Sequence, residues 1–355
     1  MDGSGKMTLE EIAAIAGVSK ATVSRVINGQ PRVGAATRAH IQQIIREQGY
    51  EPNSAARALA TGRSRTIGLV SPAPMDSAFT NPYFFALTQG IAAACEKCGY
   101  RLMLSPLADQ SLEACRQTVR SGQVDGLVIA TFSVGESVLA SLQDAGYPCV
   151  LVGSCPRWPD ITTVGPDYYH GGTMAAQHLA GLGYKRIAHI AGPPDHPGAA
   201  DRLRGFLDGL RVAGLTCPER YIAPGYFDEP NGYQGMQQLL ALSPRPEAVF
   251  CVADLTAVGA LRAVREAGLR VPEDVAIVGF DDLPVTTATE PRLTTVRQPI
   301  RQIGFLAVTT LVEMLRARAA DPPRSLAPQH LVLPVELVVR ESCGQLQRFR
   351  AERLD

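Results

Sequence analysis

The sequence predicts two fold classes in one chain: an all-α head of three short helices with a hinge helix, joined to an α/β body of two doubly wound parallel-sheet lobes. In the first 50 residues the apolar residues recur with the spacing of short helices, interrupted at glycines. From Thr66 onward short apolar runs alternate with helical stretches in two successive series. The charge divides at the same place, because the first 65 residues carry a net +4 and the remainder −4.

The composition of the whole chain excludes several classes of protein. Its 355 residues carry 34 Lys and Arg against 34 Asp and Glu, and 46% are hydrophobic. This balance excludes a disordered chain and a uniformly basic coat for nucleic acid. The length suits two or three domains at roughly 100–200 residues each. Without an uncharged apolar run of about 18 residues we expect no membrane span, and without the features of a signal peptide we expect a cytoplasmic protein.

The first two predicted helices form a helix-turn-helix. Thr8 is expected to cap the first helix, with Glu11 as its capping-box partner. Gly17 then ends that helix, and Ser19 caps a second helix over Lys20–Asn28. Two short helices joined by a turn that contains glycine are the elements of this motif.

A third amphipathic helix completes the head, over about Ala36–Glu47, and ends at Gly49. The three helices can bury a small core against one another. The residues predicted to face inward are Leu9, Ile12, Ala13, Ala16, Val23, Val26, Ile27, Ile41, Ile44 and Ile45.

The outward face of the second helix suits double-stranded DNA. It presents Lys20, Ala21, Thr22, Ser24, Arg25 and Asn28. Arg25 can make a bidentate contact to guanine, and the Ala21 methyl group can meet a thymine methyl group. The side chains expected to position the helix on phosphates are Thr8, Thr22, Ser24, Asn28 and Thr37. The alternative is that Ser19 and Thr22 only cap the helix and that Arg25 is only solvated.

These residues carry a specific resemblance. The run from Thr8 to Asn28, TLEEIAAIAGVSKATVSRVIN, is similar to the DNA-binding head of the LacI/GalR family of repressors, and YEPNSAARAL, Tyr50–Leu59, resembles the hinge of that family. The resemblance extends over about residues 7–342 and implies that the body is a type I periplasmic-binding-protein-like clamshell. Gly34 departs from the small hydroxyl residue that usually precedes the third helix, which weakens that cap.

The segment Asn53–Ala60 is expected to be a conditional helix. It has good helix formers but spans about two turns, and a helix this short is marginal in water by itself. The resemblance implies that two such helices pair across a dimer and enter the minor groove, where Leu59 wedges into the central step. It assigns DNA contacts to Asn53, Ala56, Arg57 and Leu59. The alternative is a passive linker with Leu59 packed against the head.

The body is predicted from its alternating pattern. The predicted strands are Ile67–Val70, Leu102–Leu104, Gly126–Ala130 and Cys149–Gly153, then Arg186–Ala191, Ala248–Val252 and Val275–Phe280. The helical stretches are Tyr83–Cys98, Gly171–Leu182, Arg202–Ala213, Gly232–Leu242 and Leu255–Ala267. Alternation of this kind implies parallel sheets covered on both faces. Ligands of such sheets sit beyond the carboxyl ends of the strands, so two lobes make one cleft.

The resemblance also supplies domain limits. They are 7–51 for the head, 52–63 for the hinge, 64–342 for the body and 343–355 for a short tail. Within the body, the first lobe takes 64–163 and 293–325, and the second takes 164–292 and 326–342. The chain is thus expected to return to the first lobe near Leu293 and to the second lobe within Gln329–Val339.

The resemblance implies that several side chains contact a small effector. Tyr83 and Phe84, in the run NPYF, match an aromatic pair that packs on the effector, although they could be ordinary core aromatics. Arg202 matches a ligand-binding arginine whose planar fork suits hydroxyls or a carboxylate. His196 occupies a second position in the same loop, where a lone histidine is more often structural.

Further matches lie in the second lobe. Phe227 matches an aromatic residue that stacks on the ligand, and Asp281 matches an acidic contact that can accept two sugar hydroxyls. Asp167 and Gln298 are weaker matches near the lobe crossovers. The family often has Asn-Asp where this chain has Ala253-Asp254, so one common polar contact is missing and no particular sugar can be carried over.

No motif of the chain predicts catalysis, a metal or a cofactor. Cys95 and Cys98 have redox-motif spacing but lie at the end of a helix, where the helix dipole does not lower a thiol pKa. The six histidines form no metal-ligand cluster, and there is no G-x-S-x-G, G-x-G-x-x-G or P-loop run. The tail after Arg340 is too short for sustained heptads, which favours a dimer over a tetramer.

The sequence therefore predicts a homodimeric transcriptional repressor that binds a palindromic operator and is controlled by a small polar effector such as a sugar. A nucleoside, a nucleobase or a protein partner is the alternative effector. Two other classes of protein share parts of this pattern. A transport-type solute-binding protein is disfavoured by the helix-turn-helix, and a sugar- or nucleotide-processing α/β enzyme is disfavoured by the missing acid/base and nucleophile motifs.

Overall fold

The chain forms two compact units, residues 1–65 and residues 66–355, which are the head and the body. The structure is a computed structural model. It describes residues 7–27, 32–50, 63–71, 81–106, 121–130 and 136–346.

The elements are numbered along the chain. The helices are α1 Leu9–Ile15, α2 Lys20–Ile27, α3 Ala35–Glu47, α4 Pro82–Cys98, α5 Glu136–Asp144, α6 Tyr168–Gly181, α7 Pro197–Val212, α8 Glu229–Leu240, α9 Asp254–Glu266 and α10 Ile300–Arg318. The strands are β1 Thr66–Ser71, β2 Arg101–Pro106, β3 Gly126–Ala130, β4 Cys149–Val152, β5 Thr162–Pro166, β6 Ile187–Ile190, β7 Ile222–Ala223, β8 Ala248–Cys251, β9 Ala276–Asp281, β10 Thr294–Arg297, β11 His330–Leu333 and β12 Glu336–Val338. Short 3₁₀ turns cover Glu219–Tyr221 and Pro284–Thr287.

The head folds as three helices around one small core, as the sequence predicts. The Thr8 hydroxyl accepts a hydrogen bond from the Glu11 N–H, and the Glu11 carboxylate accepts one from the Thr8 N–H at 2.7 Å, which completes the capping box. Ser19 Oγ accepts from the Thr22 N–H at 3.2 Å, and Gly34 supplies no side-chain cap to α3. The core contains Ile12, Ala13, Ala16, Val23, Val26, Ile41, Ile44 and Tyr50. The predicted inward residues that are only half-buried are Leu9, Ile27 and Ile45.

Each lobe of the body contains a six-stranded sheet with a core on each face. The order in the first lobe is β11-β5-β4-β3-β1-β2, with every pair parallel. Side chains alternate between the faces: in β3, Val128 faces the core beneath α4 and α10, and Ile129 faces the core beneath α5. The order in the second lobe is β12-β10-β9-β8-β6-β7, parallel except for the β10–β12 pair. There Phe250 faces α6 and α7, and Val249 faces α8 and α9.

The chain passes between the lobes at places that differ from the prediction. The return to the first lobe follows β10 rather than Leu293, because Thr294–Arg297 pairs in parallel with β9 of the second sheet. His330–Leu333 was expected in the second lobe, but it pairs in parallel with β5 of the first sheet. Only after Leu333 does the chain go back to the second lobe. Leu293 is fully buried in the second-lobe core, and the strand that follows it, Thr294–Arg297, is only four residues long, which makes it hard to recognise from its pattern.

Several elements have no counterpart in the predicted list. They are β5, β7, β10, β11, β12, α5 and α10. Helix α10 packs on α4 and covers the first sheet. Its pattern is hard to recognise because apolar residues occur around most of the helix, as a helix packed on both a sheet and a neighbour requires.

Glycines set the distance between α6 and α7. A Cβ atom built at Gly172 of α6 would lie 2.1 Å from the Arg202 carbonyl oxygen, and one built at Gly205 of α7 would lie 1.9 Å from the Tyr169 carbonyl oxygen. The two backbones therefore touch where the helices cross. This contact brings the start of α7, which carries Arg202, against the sheet.

We expect Gly172→Ala to destabilise the body by at least about 1–3 kcal/mol, because the added methyl group overlaps main-chain atoms that cannot rotate away. Gly181→Ala on the same helix is the matched control. A Cβ atom there meets nothing within 4 Å, and alanine is the better helix former by about 1 kcal/mol. Urea unfolding of both variants measures the difference. Equal effects would contradict the backbone contact.

Candidate functional site

The outward face of α2 presents the side chains that the sequence assigns to DNA. Lys20, Ala21 and Arg25 are exposed, and Thr22 and Ser24 are half-buried. They lie along one side of a helix whose opposite side is packed in the head core through Val23 and Val26. Thr37 is half-buried in the first turn of α3. The predicted contacts Asn28, Asn53, Ala56, Arg57 and Leu59 lie outside the described residues.

Local contacts hold the start of α2 in place. Ser19 caps the helix by accepting the Thr22 N–H, and the Ser19 and Thr22 hydroxyls share a further hydrogen bond of 2.9 Å. Lys20 Nζ pairs with the Glu10 carboxylate of α1, which lowers the pKa of Glu10. This ion pair links the two helices of the motif.

The body contains a cleft between its two lobes, at the carboxyl ends of both sheets. Its empty volume is about 520 Å³, which includes the part open to solvent. The first lobe contributes Asn81, Tyr83, Leu87, Ala130 and Val152. The second lobe contributes Tyr168, His196, Arg202, Phe227, Ala253, Leu255, Asp281 and Leu283.

The cleft lining contains five of the eight residues predicted to contact an effector. They are Tyr83, His196, Arg202, Phe227 and Asp281. Gln298 is buried immediately behind them, where its side-chain amide donates to Asp281 Oδ1 at 2.5 Å. The structure places the remaining two residues outside the lining.

Phe84 and Asp167 are not part of the lining. Phe84 is buried in the first-lobe core, because consecutive residues of a helix point about 100° apart and Tyr83 already faces the cleft. Asp167 caps α6, where its carboxylate accepts the His170 N–H at 2.8 Å.

Two lining residues that the sequence did not suggest are Asn81 and Tyr168. Asn81 Oδ1 caps α4 by accepting the Tyr83 N–H at 2.9 Å, and Tyr168 begins α6 directly after β5. Each lies where a helix starts after a strand, and that position is the signal that could have found them. The Tyr83 and Tyr168 side chains both line the cleft, one from each lobe, and burial raises the pKa of both phenols.

Arg202 is held among aromatic rings at the base of the cleft. Its guanidinium carbon lies 3.9 Å from the Phe280 ring centre and 4.8 Å from that of Tyr168, a cation–π arrangement. One terminal nitrogen donates to the Val252 carbonyl oxygen, and the other lies 3.8 Å from Asp281 Oδ1. Both charged side chains are less than a tenth exposed.

Asp281 is an unusual carboxylate. Burial raises its pKa to about 6, although Arg202 and the Gln298 amide both act to lower it. When it is ionised, the group can accept hydrogen bonds with both oxygens. An ionised acid and a pinned guanidinium, with aromatic faces around them, can orient a polar ring-shaped molecule.

His196 has both a structural role and a place in the lining. Its Nδ1 accepts the Ala199 N–H at 3.1 Å, which caps α7. Its ring also meets Phe227 edge-on at 4.8 Å between centres.

Nothing in the described part of the chain is arranged as a metal site or a membrane span. No three His, Cys, Asp or Glu residues among the described residues are grouped to hold an ion. No helix there is long and apolar enough to cross a bilayer. Burial raises the pKa of the Cys95 thiol to about 11, so the residue of the Cys95-x-x-Cys98 pair that lies deepest is a poor nucleophile.

Two family models match the chain. Residues 8–53 match the model described as "Bacterial regulatory proteins, lacI family", and residues 176–343 match the model of a periplasmic binding protein-like domain.

Curated relatives match over nearly their whole length. The HTH-type transcriptional regulator CelR of Thermobifida fusca is 36% identical over 96% of this chain and 100% of its own. The ribose operon repressor of Escherichia coli K12 is 34% identical over 94% of this chain and 99% of its own.

Solved structures of the same kind also superpose on the chain. A complex of the transcriptional regulator CelR with cellobiose has a TM-score of 0.74 and 34% identity, over 95% of this chain and 100% of that one. A lac repressor dimer bound to operator and the anti-inducer ONPF has a TM-score of 0.80 and 28% identity, over 95% and 99%. The similarity thus covers the head and the body together.

We expect Arg202→Met to destabilise the body by about 3–5 kcal/mol near pH 8, because Asp281 would be left buried without its counter-charge. The Asp281 pKa is raised in the folded state, so its ionisation costs stability as pH rises through about 6. Without Arg202 that pKa rises further, and the loss of stability should be smaller at pH 5 than at pH 8. Urea unfolding of the wild type and the variant at both pH values measures this loss of stability.

Arg204→Met on the same helix is the matched control, because the Arg204 side chain is 65% exposed in its pair with Asp201. Surface pairs of this kind contribute about 0–1 kcal/mol. An equal loss for Arg202→Met at both pH values would show that ionised Asp281 is not the cause.

Proposed function

The chain belongs to the lacI family of bacterial regulatory proteins, and on that premise we propose that it represses transcription by binding a palindromic operator as a homodimer. A small polar effector, most simply a sugar, binds in the cleft of the body and changes operator affinity. The protein acts in the cytoplasm, where its DNA target lies. It is a DNA-binding regulator and not an enzyme.

The α2 helix supports the DNA-binding part of the proposal. Its exposed side combines Lys20 and Arg25 with small and hydroxyl side chains, and its buried side is anchored in a folded head. Such a helix fits the major groove with its side chains at base edges. The head has a net charge of +4 while the body has −4, so phosphate attraction is confined to the head.

The DNA-binding role of the hinge rests on the family resemblance alone. Asn53, Ala56, Arg57 and Leu59 would enter the minor groove as a paired helix, with Leu59 at the central step. These residues lie outside the described part of the chain.

The proposal that an effector binds in the cleft rests on the close approach of Asp281 and Arg202, which lie between aromatic rings there. A sugar presents hydroxyls to a carboxylate and the apolar face of its ring to an aromatic side chain, and Tyr83, Tyr168 and Phe227 offer such faces. Two relatives support this class, since one was solved with cellobiose and another is named a ribose operon repressor.

A nucleoside or nucleobase is the second candidate effector. Aromatic rings stack on a base as readily as on a sugar ring, and Asp281 could accept a ring N–H. A protein partner is a third possibility, which the concave and largely apolar cleft favours less.

The experiment has two arms. Thermal denaturation of the full chain is followed with cellobiose, D-ribose, adenine, guanine and adenosine, and selection from random duplex DNA identifies the bound sequence. We expect one ligand class to raise the melting temperature by mass action and to change the affinity for a selected palindrome. The Asp281→Asn variant should lose that shift. Failure to enrich any palindrome would contradict the proposal, as would a selected palindrome whose affinity no ligand changes.

We expect Arg25→Ala to relax the sequence preference at one base pair of each half-site, because a bidentate contact discriminates by about 1–3 kcal/mol. Arg46→Ala is the matched control, since it removes the same charge from an exposed position on α3. That variant should weaken binding to every sequence alike. Affinities for all single-base variants of the selected operator measure both, and a uniform loss for Arg25→Ala would make it a phosphate contact.

A further inference from the structure

The loop that follows β9 has a strained backbone. Asp281 and Asp282 are consecutive non-glycine residues with φ angles of +117° and +59°. Residues with a side chain avoid this region, and such conformations persist only where the surroundings impose them. Something beside the loop must therefore hold it.

The Asp254 carboxyl group is one of the contacts that hold this loop, beside the ion pairs of Asp282 with Arg297 and Arg340. Asp254 is the first residue of α9 and is fully buried. Its Oδ2 accepts the Leu283 N–H at 2.7 Å, and its Oδ1 accepts the Thr295 hydroxyl at 2.6 Å. A Cβ atom at Gly279 would lie only 2.4 Å from Oδ1, so the glycine leaves room for the carboxyl group. One side chain thus joins α9, β9, β10 and the loop.

Burial of the Asp254 carboxyl group costs folding free energy. Burial raises the pKa of this carboxyl well above its ordinary value, and a buried acid destabilises a fold unless its hydrogen bonds are made. Asp254 itself does not line the cleft, whereas its neighbours Ala253 and Leu255 do. Its hydrogen bonds are directed to the loop and to β10.

The loop contacts both lobes. Asp281 faces the cleft, with Arg202 at 3.8 Å and the Gln298 amide at 2.5 Å. Two residues later, Leu283 is 2% exposed and packs in the core of the opposite lobe. Between them, Asp282 pairs with Arg297 at 2.6 Å, where the chain leaves for the first lobe. A shift of this loop would move the cleft carboxylate and the contact between lobes together.

We propose that Asp254 is a positioning residue of the effector cleft: its buried carboxyl group holds the Asp281–Leu283 loop so that Asp281 faces the effector while Leu283 stays in the first-lobe core. The part that concerns effector affinity rests on the proposed function. The part that concerns the loop does not.

The variants distinguish the effect of the Asp254 hydrogen bonds from the effect of its side-chain volume. Asp254→Ala removes both acceptors. Asp254→Asn keeps the shape, since its amide oxygen can accept the Leu283 N–H while its NH₂ group donates to the Thr295 hydroxyl oxygen. Met236→Ala is the control for general destabilisation, because Met236 is fully buried in the core beneath α8 and does not line the cleft.

The first measurement is hydrogen exchange of the unliganded full chain, followed in the peptide that covers residues 281–286. We expect exchange there to quicken by about tenfold in Asp254→Ala, the equivalent of one lost backbone hydrogen bond. Asp254→Asn should stay close to the wild type, and Met236→Ala should leave this peptide unchanged relative to the rest of the lobe. Wild-type exchange in Asp254→Ala would overturn the proposal.

The second measurement is cellobiose affinity by calorimetry. We expect it to weaken by about tenfold in Asp254→Ala and to recover in Asp254→Asn, while Met236→Ala binds like the wild type. Wild-type affinity in Asp254→Ala would also overturn the proposal. If cellobiose does not bind the wild type, that result counts against the proposed sugar class, and hydrogen exchange alone decides the role of Asp254.

If Asp254→Ala does not fold, Thr295→Val replaces it, because it removes one of the two donors at constant shape. Exchange of the 281–286 peptide should then quicken by about threefold. An unchanged rate in that variant would overturn the proposal.

Discussion

The body depends on the way its chain passes between the two sheets. Parallel strands direct their carboxyl ends to one edge, and the passages after β5, β10 and β11 hold the two edges face to face. The groups that end up between them come from helix starts and strand ends far apart in sequence. Tyr83 lies 85 residues before Tyr168, which lines the cleft from the other lobe. A cleft of this kind belongs to neither lobe alone.

Electrostatics then decides what the cleft can hold. Arg202 and Asp281 are both removed from water, and the attraction between them offsets only part of that cost, since burial still raises the Asp281 pKa to about 6. Replacing such a pair by apolar residues often stabilises a protein. A pair kept at the base of an accessible cleft, with the Arg202 Nε atom buried and without a hydrogen-bond partner in the described structure, is better explained by a ligand than by stability.

The sequence predicts the local parts of this molecule well and the long-range parts less well. Thr8, Glu11 and Gly17 define the start and end of α1 through contacts within four residues, so the pattern shows them directly. The strand Thr294–Arg297 could be assigned to its sheet only from its pairing with β9, which no local pattern contains. The role of Asp254 was equally hidden, because its partners Leu283 and Thr295 lie 29 and 41 residues away.

Control of the head by the body needs a ligand that distinguishes two states of the cleft. An effector that touched Asp281 alone would bind open and closed lobes equally and would shift nothing. An effector that also contacted Tyr83 would bridge the two lobes. The free energy by which it bound the closed state more tightly than the open state would favour closure by the same amount. The loop held by Asp254 carries both the cleft carboxylate and an apolar contact with the opposite lobe. Under the proposed function, ligand contact and lobe closure would be coupled within these three residues.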